Sequence, residues 1–235
     1  MKTRKLNEVL CVILLLTNSF VPVCSLIATT INFKFELKRY IAFAAVSEII
    51  SVVCAFLLTK KADVSKTVCV TAGINLPVSV INWGIFLFKS SDVITTVLII
   101  INFICSLIIF IKVTRKSSLK TAITAVASFF AVILIVFTPF YFLIANFGKT
   151  TVYRTVESPD STYRAEIVDS DNGALGGNTV VKVFNDKKNY DFFIFRFYEN
   201  PEIVYIGDWG KFDSLNVYWS DVNTLTVEDE TYYFE

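Results

Sequence analysis

Carboxylates in two parts of this chain are the side chains best suited to chemistry. Glu48 is the one ionisable residue well inside an apolar stretch, and a charge at membrane depth costs roughly 2.5 to 3.5 kcal/mol if it stays ionised and unpaired. Asp169 and Asp171 precede Asn172-Gly173, a spacing that can present several oxygens to one cation. The chain has no histidine, the commonest general base and metal ligand. It also has no nucleophile elbow or phosphate-binding loop, so we expect neither an enzyme nor a cofactor.

Glu48 has two interpretations. It lies on a stripe of small side chains at three- and four-residue steps, which would let another helix approach closely: Ala44, Ser47, Ser51 and Ala55. One interpretation is an intramembrane polar site that relays protons or cations. The other, which we favour because no second buried charge is present, is a protonated or hydrogen-bonded carboxyl paired with a residue on another helix. The candidate partners are Asn18, Asn75, Asn82 and Asn102.

The aspartate motif matches a calcium loop poorly. A helix-loop-helix calcium site needs a bidentate glutamate six residues after its glycine, where this chain has Thr179. We therefore favour a polar hairpin turn and predict no metal site. The five cysteines all fall in apolar segments without metal-ligand spacing, so they are interpreted as small packing residues.

Five apolar stretches have the length of about 20 residues that a helix needs to cross a bilayer. They cover residues 9–31, 41–59, 67–88, 93–111 and 121–147. Pro77 and Pro139 lie inside the third and fifth stretches, where a proline removes a backbone donor and predicts a kink. We therefore divide the chain into a multi-pass transmembrane domain, 1–149, and a β-domain, 150–235.

Charge predicts the orientation. Residues 1–149 carry 15 basic and 5 acidic side chains, whereas the rest of the chain carries 7 basic and 16 acidic ones. With the N-terminus in the cytoplasm, ten basic residues fall on the cytoplasmic side and four on the other. The positive-inside bias favours this arrangement, and an odd number of spans then leaves the C-terminal domain outside. Its acidic charge also argues against a nucleic-acid partner.

The start of the chain permits a second interpretation. Lys2, Arg4 and Lys5 before an apolar run are typical of a secretory signal, and cleavage would leave four spans with the same exterior domain. We favour an uncleaved first helix. The stretch Val21-Pro22-Val23-Cys24 lacks the small residue that lipoprotein cleavage needs before the cysteine.

From Thr151 onward, short runs of β-branched and aromatic residues alternate with turn residues, which predicts a β-meander. The predicted strands cover residues 152–157, 163–169, 178–184, 191–198, 203–207, 214–219, 224–228 and 232–234. Alternation places Phe193, Phe195 and Phe197 on one face of the fourth strand, and Leu215, Val217 and Trp219 on one face of the sixth.

The tail contains a run Ser158-Pro159-Asp160-Ser161-Thr162-Tyr163, a glycine-rich loop at 172–179, and a late hairpin, Trp219-Ser220-Asp221-Val222-Asn223-Thr224-Leu225. In combination these motifs resemble an uncharacterised family of domains in Gram-positive bacterial membrane proteins and lipoproteins. The resemblance covers about residues 151–235 and implies a small extracytoplasmic β-domain without catalytic residues. Ser161 stands where that family usually has glycine.

Together these features predict an α+β protein, a transmembrane bundle of five helices followed by a mostly antiparallel all-β domain outside a bacterial plasma membrane. The expected function is an envelope interaction or sensing module, with the lipid bilayer and an envelope protein as partners. The alternative is a small transporter or channel-like component that uses Glu48 and a helix broken at Pro77.

Overall fold

The computed structural model describes residues 2–59, 65–89, 92–114, 117–145, 149–171, 173 and 176–234. Backbone contacts separate the chain into two compact units. The helical unit comprises Met1–Ile27 and Leu37–Phe142, and the β unit comprises Ala28–Glu36 and Leu143–Glu235. The β unit therefore contains a segment from near the N-terminus. The single boundary predicted between residues 149 and 150 assigned this segment to the helical domain.

Five long helices form the described part of the helical unit. They are α1 (Lys2–Thr30), α2 (Tyr40–Thr59), α3 (Lys66–Lys89), α4 (Val93–Val113) and α5 (Ser117–Ala145). All five are long and apolar enough to span a membrane, as the sequence predicted. The end of the fifth predicted stretch, residues 146–147, and Asn172 of the aspartate motif lie outside the described ranges.

Local chemistry explains where the helices begin and continue. Asp92 caps α4 by accepting a hydrogen bond from the backbone N–H of Thr95 at 2.8 Å. Hydrogen bonds from the Thr95 hydroxyl and backbone lower the pKa of this carboxyl. Pro77 and Pro139 lie inside continuous helices, so α3 does not unwind at its proline as a broken helix would.

Within the described residues, ten strands make up three sheets. They are β1 (Phe33–Leu37), β2 (Lys149–Glu157), β3 (Tyr163–Asp171), β4 (Gly177–Asn185), β5 (Asn189–Asp191), β6 (Phe195–Glu199), β7 (Glu202–Asp208), β8 (Val217–Asp221), β9 (Thr224–Val227) and β10 (Glu230–Tyr233). The sheet orders are β2-β3-β4-β7, β10-β9-β8 and β1-β6-β5. The α+β class predicted from the sequence is confirmed.

The core of the β unit is apolar. It joins the four-stranded sheet to the β8-β9-β10 sheet, and its fully buried members include Ile167, Val181 and Leu225. Leu215 and Val217 are buried in this core and Trp219 packs against it, so the three side chains reach the same core, although Leu215 precedes β8 and is not part of that strand. The indole N–H of Trp219 donates to the Val156 carbonyl at 3.0 Å, so the two sheets are also joined by a hydrogen bond.

Two strand predictions need correction. The predicted strand 191–198 is a hairpin, because the chain turns after Asp191 and β6 begins at Phe195. Phe193 therefore lies in the turn and does not share a strand face with Phe195 and Phe197. The second correction is β1, a strand that the sequence analysis left in a loop. Its residues alternate between apolar and charged side chains, which is the usual signal for a half-buried strand.

Candidate functional site

A network of buried amide and hydroxyl groups joins four helices. The Asn18 amide donates to Asn75 Oδ1 at 2.9 Å, and the Asn75 amide donates to Ser106 Oγ at 2.9 Å. Asn102 donates to the hydroxyls of Ser47 and Ser51 at 3.1 and 2.6 Å. These contacts connect α1 to α3, α3 to α4, and α4 to α2. Here the network means Asn18, Ser47, Ser51, Asn75, Asn102 and Ser106.

The network closes through Ser47, whose hydroxyl also donates to Asn18 Oδ1 at 3.2 Å. All six side chains are buried, so each polar atom depends on a protein partner. Hydrogen bonds of this kind specify how helices associate where apolar surface gives no preference. The predicted small-residue stripe is therefore the α2 face that packs against α4.

Glu48 is buried beside this network but bonds elsewhere. The Cys105 thiol on α4 lies 3.7 Å from Glu48 Oε1, and Oε2 has no hydrogen-bond partner among the described residues. The predicted asparagine partner is thus replaced by a cysteine, since Asn18, Asn75 and Asn102 bond to one another and to serines. The relay interpretation of Glu48 stays a prediction.

Asn82 and Trp83 are a second pair of buried side chains with polar atoms on α3. Both are buried, and neither the Asn82 amide nor the Trp83 indole N–H has a hydrogen-bond partner in the described part of the chain. Asn82 follows Asn75 by two helical turns, so the two amides share a face of α3. Buried polar groups without protein partners bind water or a polar solute in most proteins.

In the β unit, β1 makes the contacts most relevant to function. Arg196 on β6 donates to Glu36 Oε2 at 2.8 and 3.1 Å, and the Asn200 amide donates to Asn32 Oδ1 at 2.8 Å. The ring of Phe35 lies 5.2 Å from that of Phe197. These interactions are called the β1 contacts below. They tie the link between α1 and α2 to a strand more than 150 residues away in sequence.

An open groove of about 570 Å³ adjoins the β1 contacts. Asn32 and Asn200 line it together with Lys188, Glu199 and Tyr233. Lys188 forms an ion pair with Glu199 at 2.7 Å, and the hydrogen bond to that carboxylate raises the lysine pKa. The groove thus offers amides, a phenol and a paired charge, which suits a polar ligand.

A smaller cavity of about 240 Å³ contains two arginines. The Arg164 guanidinium bonds to Asp186 and Glu166 and lies 4.7 Å from the Phe184 ring centroid. Arg196 is paired with Glu36, as described above. Because carboxylates neutralise both guanidinium groups, this cavity has little excess positive charge for an anion.

Asp169 and Asp171 of the aspartate motif lie at the end of β3. Asp171 Oδ1 accepts a hydrogen bond from the Gly173 backbone N–H at 2.7 Å, the geometry of a polar turn that the sequence favoured. Asn172, Ala174 and Leu175 of the same loop lie outside the described residues. Among the described residues, histidine, cysteine and carboxylate side chains form no group of three or more able to hold a metal ion.

Fold and site together define the class of a helical multi-pass protein with a folded β unit attached. Comparisons with protein-family models, with curated proteins and with solved structures give no significant match to this chain. The suspected relationship to the Gram-positive domain family therefore stays a prediction.

Sequence reasoning found Glu48 but missed the network as a unit. It named three of the network asparagines only as partners for Glu48, although polar residues spaced on four apolar helices are themselves a signal of interhelical bonding. It missed the β1 contacts because the short segment 33–37 lies between two strong helix signals.

Proposed function

We propose that this chain is a bacterial plasma-membrane protein that displays its β unit outside the cell as an interaction or sensing module of the envelope. The observation that carries the proposal is the position of β1. This strand belongs to the β unit through the β1 contacts, yet it lies in sequence between α1 and α2. A change in the β unit can therefore reach two helices directly through the backbone.

The pairing of β1 with β6 also supports the proposed number of membrane crossings. A strand after the first helix and a strand after the fifth share one sheet, so both are on the same side of any membrane that the helices cross. An even number of crossings between them meets this condition, and α2 to α5 provide four. The positive-inside bias supports the exterior side for both.

The positions of the network residues support transmission of a change at β1 along α1 and α2. α1 carries Asn18 and ends two residues before β1 is reached, while α2 carries Ser47 and begins shortly after β1. A ligand that binds the groove beside Asn32 and Asn200 would favour one arrangement of β1 over another, and only such differential binding shifts an equilibrium between states.

Topology is tested first by protease digestion of intact protoplasts that carry a C-terminal epitope tag. We expect loss of the tag while a cytoplasmic control protein stays intact. A tag protected until lysis, together with labelling of an introduced exterior-accessible cysteine between Lys112 and Lys120, would place the β unit in the cytoplasm and overturn the envelope role.

Sensing is tested by comparing the transcript profiles of four strains under envelope stress. We expect Arg196→Ala, which breaks the pair with Glu36, to reproduce the profile of a strain lacking residues 150–235. Lys187→Ala is the matched control, since it breaks an exposed ion pair with Asp160 that does not involve β1. An N-terminal tag reports whether each variant reaches the membrane at normal levels. A wild-type profile for Arg196→Ala would contradict the coupling.

The alternative function is a small transporter or channel-like component with Glu48 and Pro77 in its path. The observation in its favour is the buried Glu48 Oε2 atom without a hydrogen-bond partner in the described residues. Glu48→Gln keeps the shape of the side chain but removes the exchangeable charge. A conducting role predicts loss of pH-dependent function in this variant, whereas a packing role predicts a phenotype near wild type.

A further inference from the structure

The groove beside the β1 contacts has a partly aromatic floor and a polar rim. Its floor is formed by Tyr163, Val183 and Phe234, each of which keeps less than a tenth of its surface accessible. These three side chains are also members of the apolar core. The groove volume of about 570 Å³ falls in the range of roughly 300–1,000 Å³ that small-molecule sites occupy. All the residues that line it belong to the β unit, so one folded unit builds the whole site.

Tyr233 lines the groove with most of its side chain in solvent. It is the last residue of β10 and keeps 78% of its surface accessible. The rings beneath it are held by the core, since the centroids of Tyr163 and Phe234 lie 5.4 Å apart. A tyrosine ring is large and rigid, so a ligand that covers it gains contact area at a low cost in side-chain entropy. Tyr233 is therefore the ring of this groove on which a ligand can stack.

The amides of Asn32 and Asn200 supply hydrogen-bonding groups to the rim. The Asn200 amide donates to the Asn32 backbone carbonyl at 3.2 Å and to Asn32 Oδ1 at 2.8 Å. These bonds leave the amide N–H groups of Asn32 as donors and the amide oxygen of Asn200 as an acceptor. Both side chains are exposed. A donor and an acceptor on neighbouring residues suit hydroxyl groups, which donate and accept at the same atom.

The charge of the groove disfavours an anionic ligand. Lys188 is paired with Glu199, and the exposed carboxylate of Glu202 adds one further negative charge to the lining. An anion would meet this excess negative charge and would be repelled. A carboxylate is, however, a strong acceptor for a hydroxyl donor. The lining thus favours a ligand that is neutral and rich in hydroxyl groups.

We propose that this groove binds a neutral carbohydrate. The C–H face of one pyranose ring stacks on Tyr233, and its hydroxyl groups bond to Asn32, Asn200 and Glu202. A sugar fits this lining because it combines an apolar face with polar edges, as an aromatic ring beside amides and a carboxylate requires. The assignment names the ligand class of the proposed sensing module and rests on that function for its biological role.

Saturation-transfer NMR of the full-length protein tests the proposal. The protein is held in lipid nanodiscs, because the sugar headgroup of a glycoside detergent would compete for the groove. Three soluble probes are compared: a tetrasaccharide of glucose, a tetrasaccharide of N-acetylglucosamine and a tripeptide of alanine. Titration of each probe gives its dissociation constant, and the ring protons that receive saturation show which face of the sugar meets the protein.

We expect transfer to the ring protons of at least one tetrasaccharide and none to the tripeptide. Tyr233→Ala should weaken sugar binding roughly two- to ten-fold, the range expected for one aromatic contact. Tyr233→Phe keeps the ring and should bind nearly as well as wild type. Tyr218→Ala is the matched control, since Tyr218 is an exposed tyrosine of the same sheet that does not line the groove. Thermal unfolding midpoints show that each variant is folded.

Absence of transfer to both tetrasaccharides would overturn the proposal, as would equal sugar binding by wild type and Tyr233→Ala. Transfer to the tripeptide alone would also overturn it and would identify a peptide site. The protoplast digestion separates this proposal from the envelope role. Sugar binding by a β unit found in the cytoplasm would keep the site and remove that role, whereas an exterior β unit that binds no sugar would do the reverse.

Discussion

The two units of this protein keep polar groups in opposite places. In the helical unit the interior holds the network of amides and hydroxyls, while residues such as Ile49 and Phe129 are exposed. In the β unit the interior around Ile167 is apolar. The difference follows from the solvent. Burial of apolar surface lowers the free energy in water, but apolar burial between helices gives no such gain in lipid. Specific pairing thus depends on polar bonds in one unit and on packing in the other.

The largest loss of stability is expected when a side chain of the apolar interior is truncated. Ile167→Ala removes buried methyl and methylene groups from the β unit and should destabilise it by about 2–5 kcal/mol. Ile206→Ala is the matched control on β7, because Ile206 is 64% exposed and surface changes cost within about 0.5 kcal/mol. Thermal unfolding of the full-length protein, followed by tryptophan emission, measures both. Similar midpoints for the two variants would contradict the assigned core.

The second-largest loss of stability is expected when a side chain of the polar network is replaced. Asn75→Leu removes the bonds to Asn18 and Ser106, and interhelical hydrogen bonds in membranes contribute about 0.6 kcal/mol on average and at most about 1.7. We expect a loss of about 1 to 2 kcal/mol, measured by unfolding in mixed micelles. Ser79→Ala on the same helix serves as the control, since the Ser79 hydroxyl donates to the Leu76 carbonyl of α3 itself. A more stable Asn75→Leu protein would show that packing, as in the β unit, specifies the bundle.

A smaller effect on stability is expected from a substitution in a turn of the β unit. Ser161 has a φ of 57°, in the left-handed region that costs a non-glycine residue roughly 1–2 kcal/mol. Ser161→Gly relieves this cost, and after the extra freedom of glycine in the unfolded chain we expect a gain of about 0.5–1 kcal/mol. Ser214, with a φ of −100°, supplies the control, because Ser214→Gly should give no gain. Both changes are compared by their unfolding midpoints.

The smallest effect concerns charge in the same turn. Hydrogen bonds from the Thr162 hydroxyl and backbone lower the pKa of Asp160 from 3.8 to about 2. A carboxyl with a lowered pKa stabilises the folded state above its unfolded pKa, and that contribution disappears as the pH falls from about 4 to 2. Asp160→Asn should therefore lower the unfolding midpoint at pH 6, and the gap to wild type should narrow towards pH 2. A gap that is constant with pH would mean that the carboxylate charge contributes nothing.

Ser161 illustrates how far sequence reasoning reaches. The sequence analysis noted only that Ser161 stands where the resembling family usually has glycine, and the positive φ of Ser161 is a conformation that glycine adopts readily. Turn chemistry is local, so it can be predicted from a few residues. The same holds for the five helices, whose lengths and apolar content are properties of continuous segments.

Residues 191–198 show where such reasoning fails. Aspartate followed by Phe-Phe-Ile-Phe satisfies strand propensity, and propensity alone predicts one continuous strand. The hydrogen bond from Phe192 to Phe195 and the pairing of β6 with β1 divide it into a turn and a strand. The pairing with β1 depends on residues as far away in sequence as Glu36, so local propensity cannot specify where the strand begins.

The division into membrane-length helices and an acidic β-rich tail can be read from the amino acids alone, because hydropathy and charge act on each segment independently. The same reading identifies Glu48 as a buried carboxyl. The contact of Cys105 with Glu48, the polar network shared by four helices and the membership of Phe33–Leu37 in the β unit follow from the folded chain. These are pairings between distant segments, and many pairings of similar local energy are compatible with the same pattern until packing and hydrogen bonding select one.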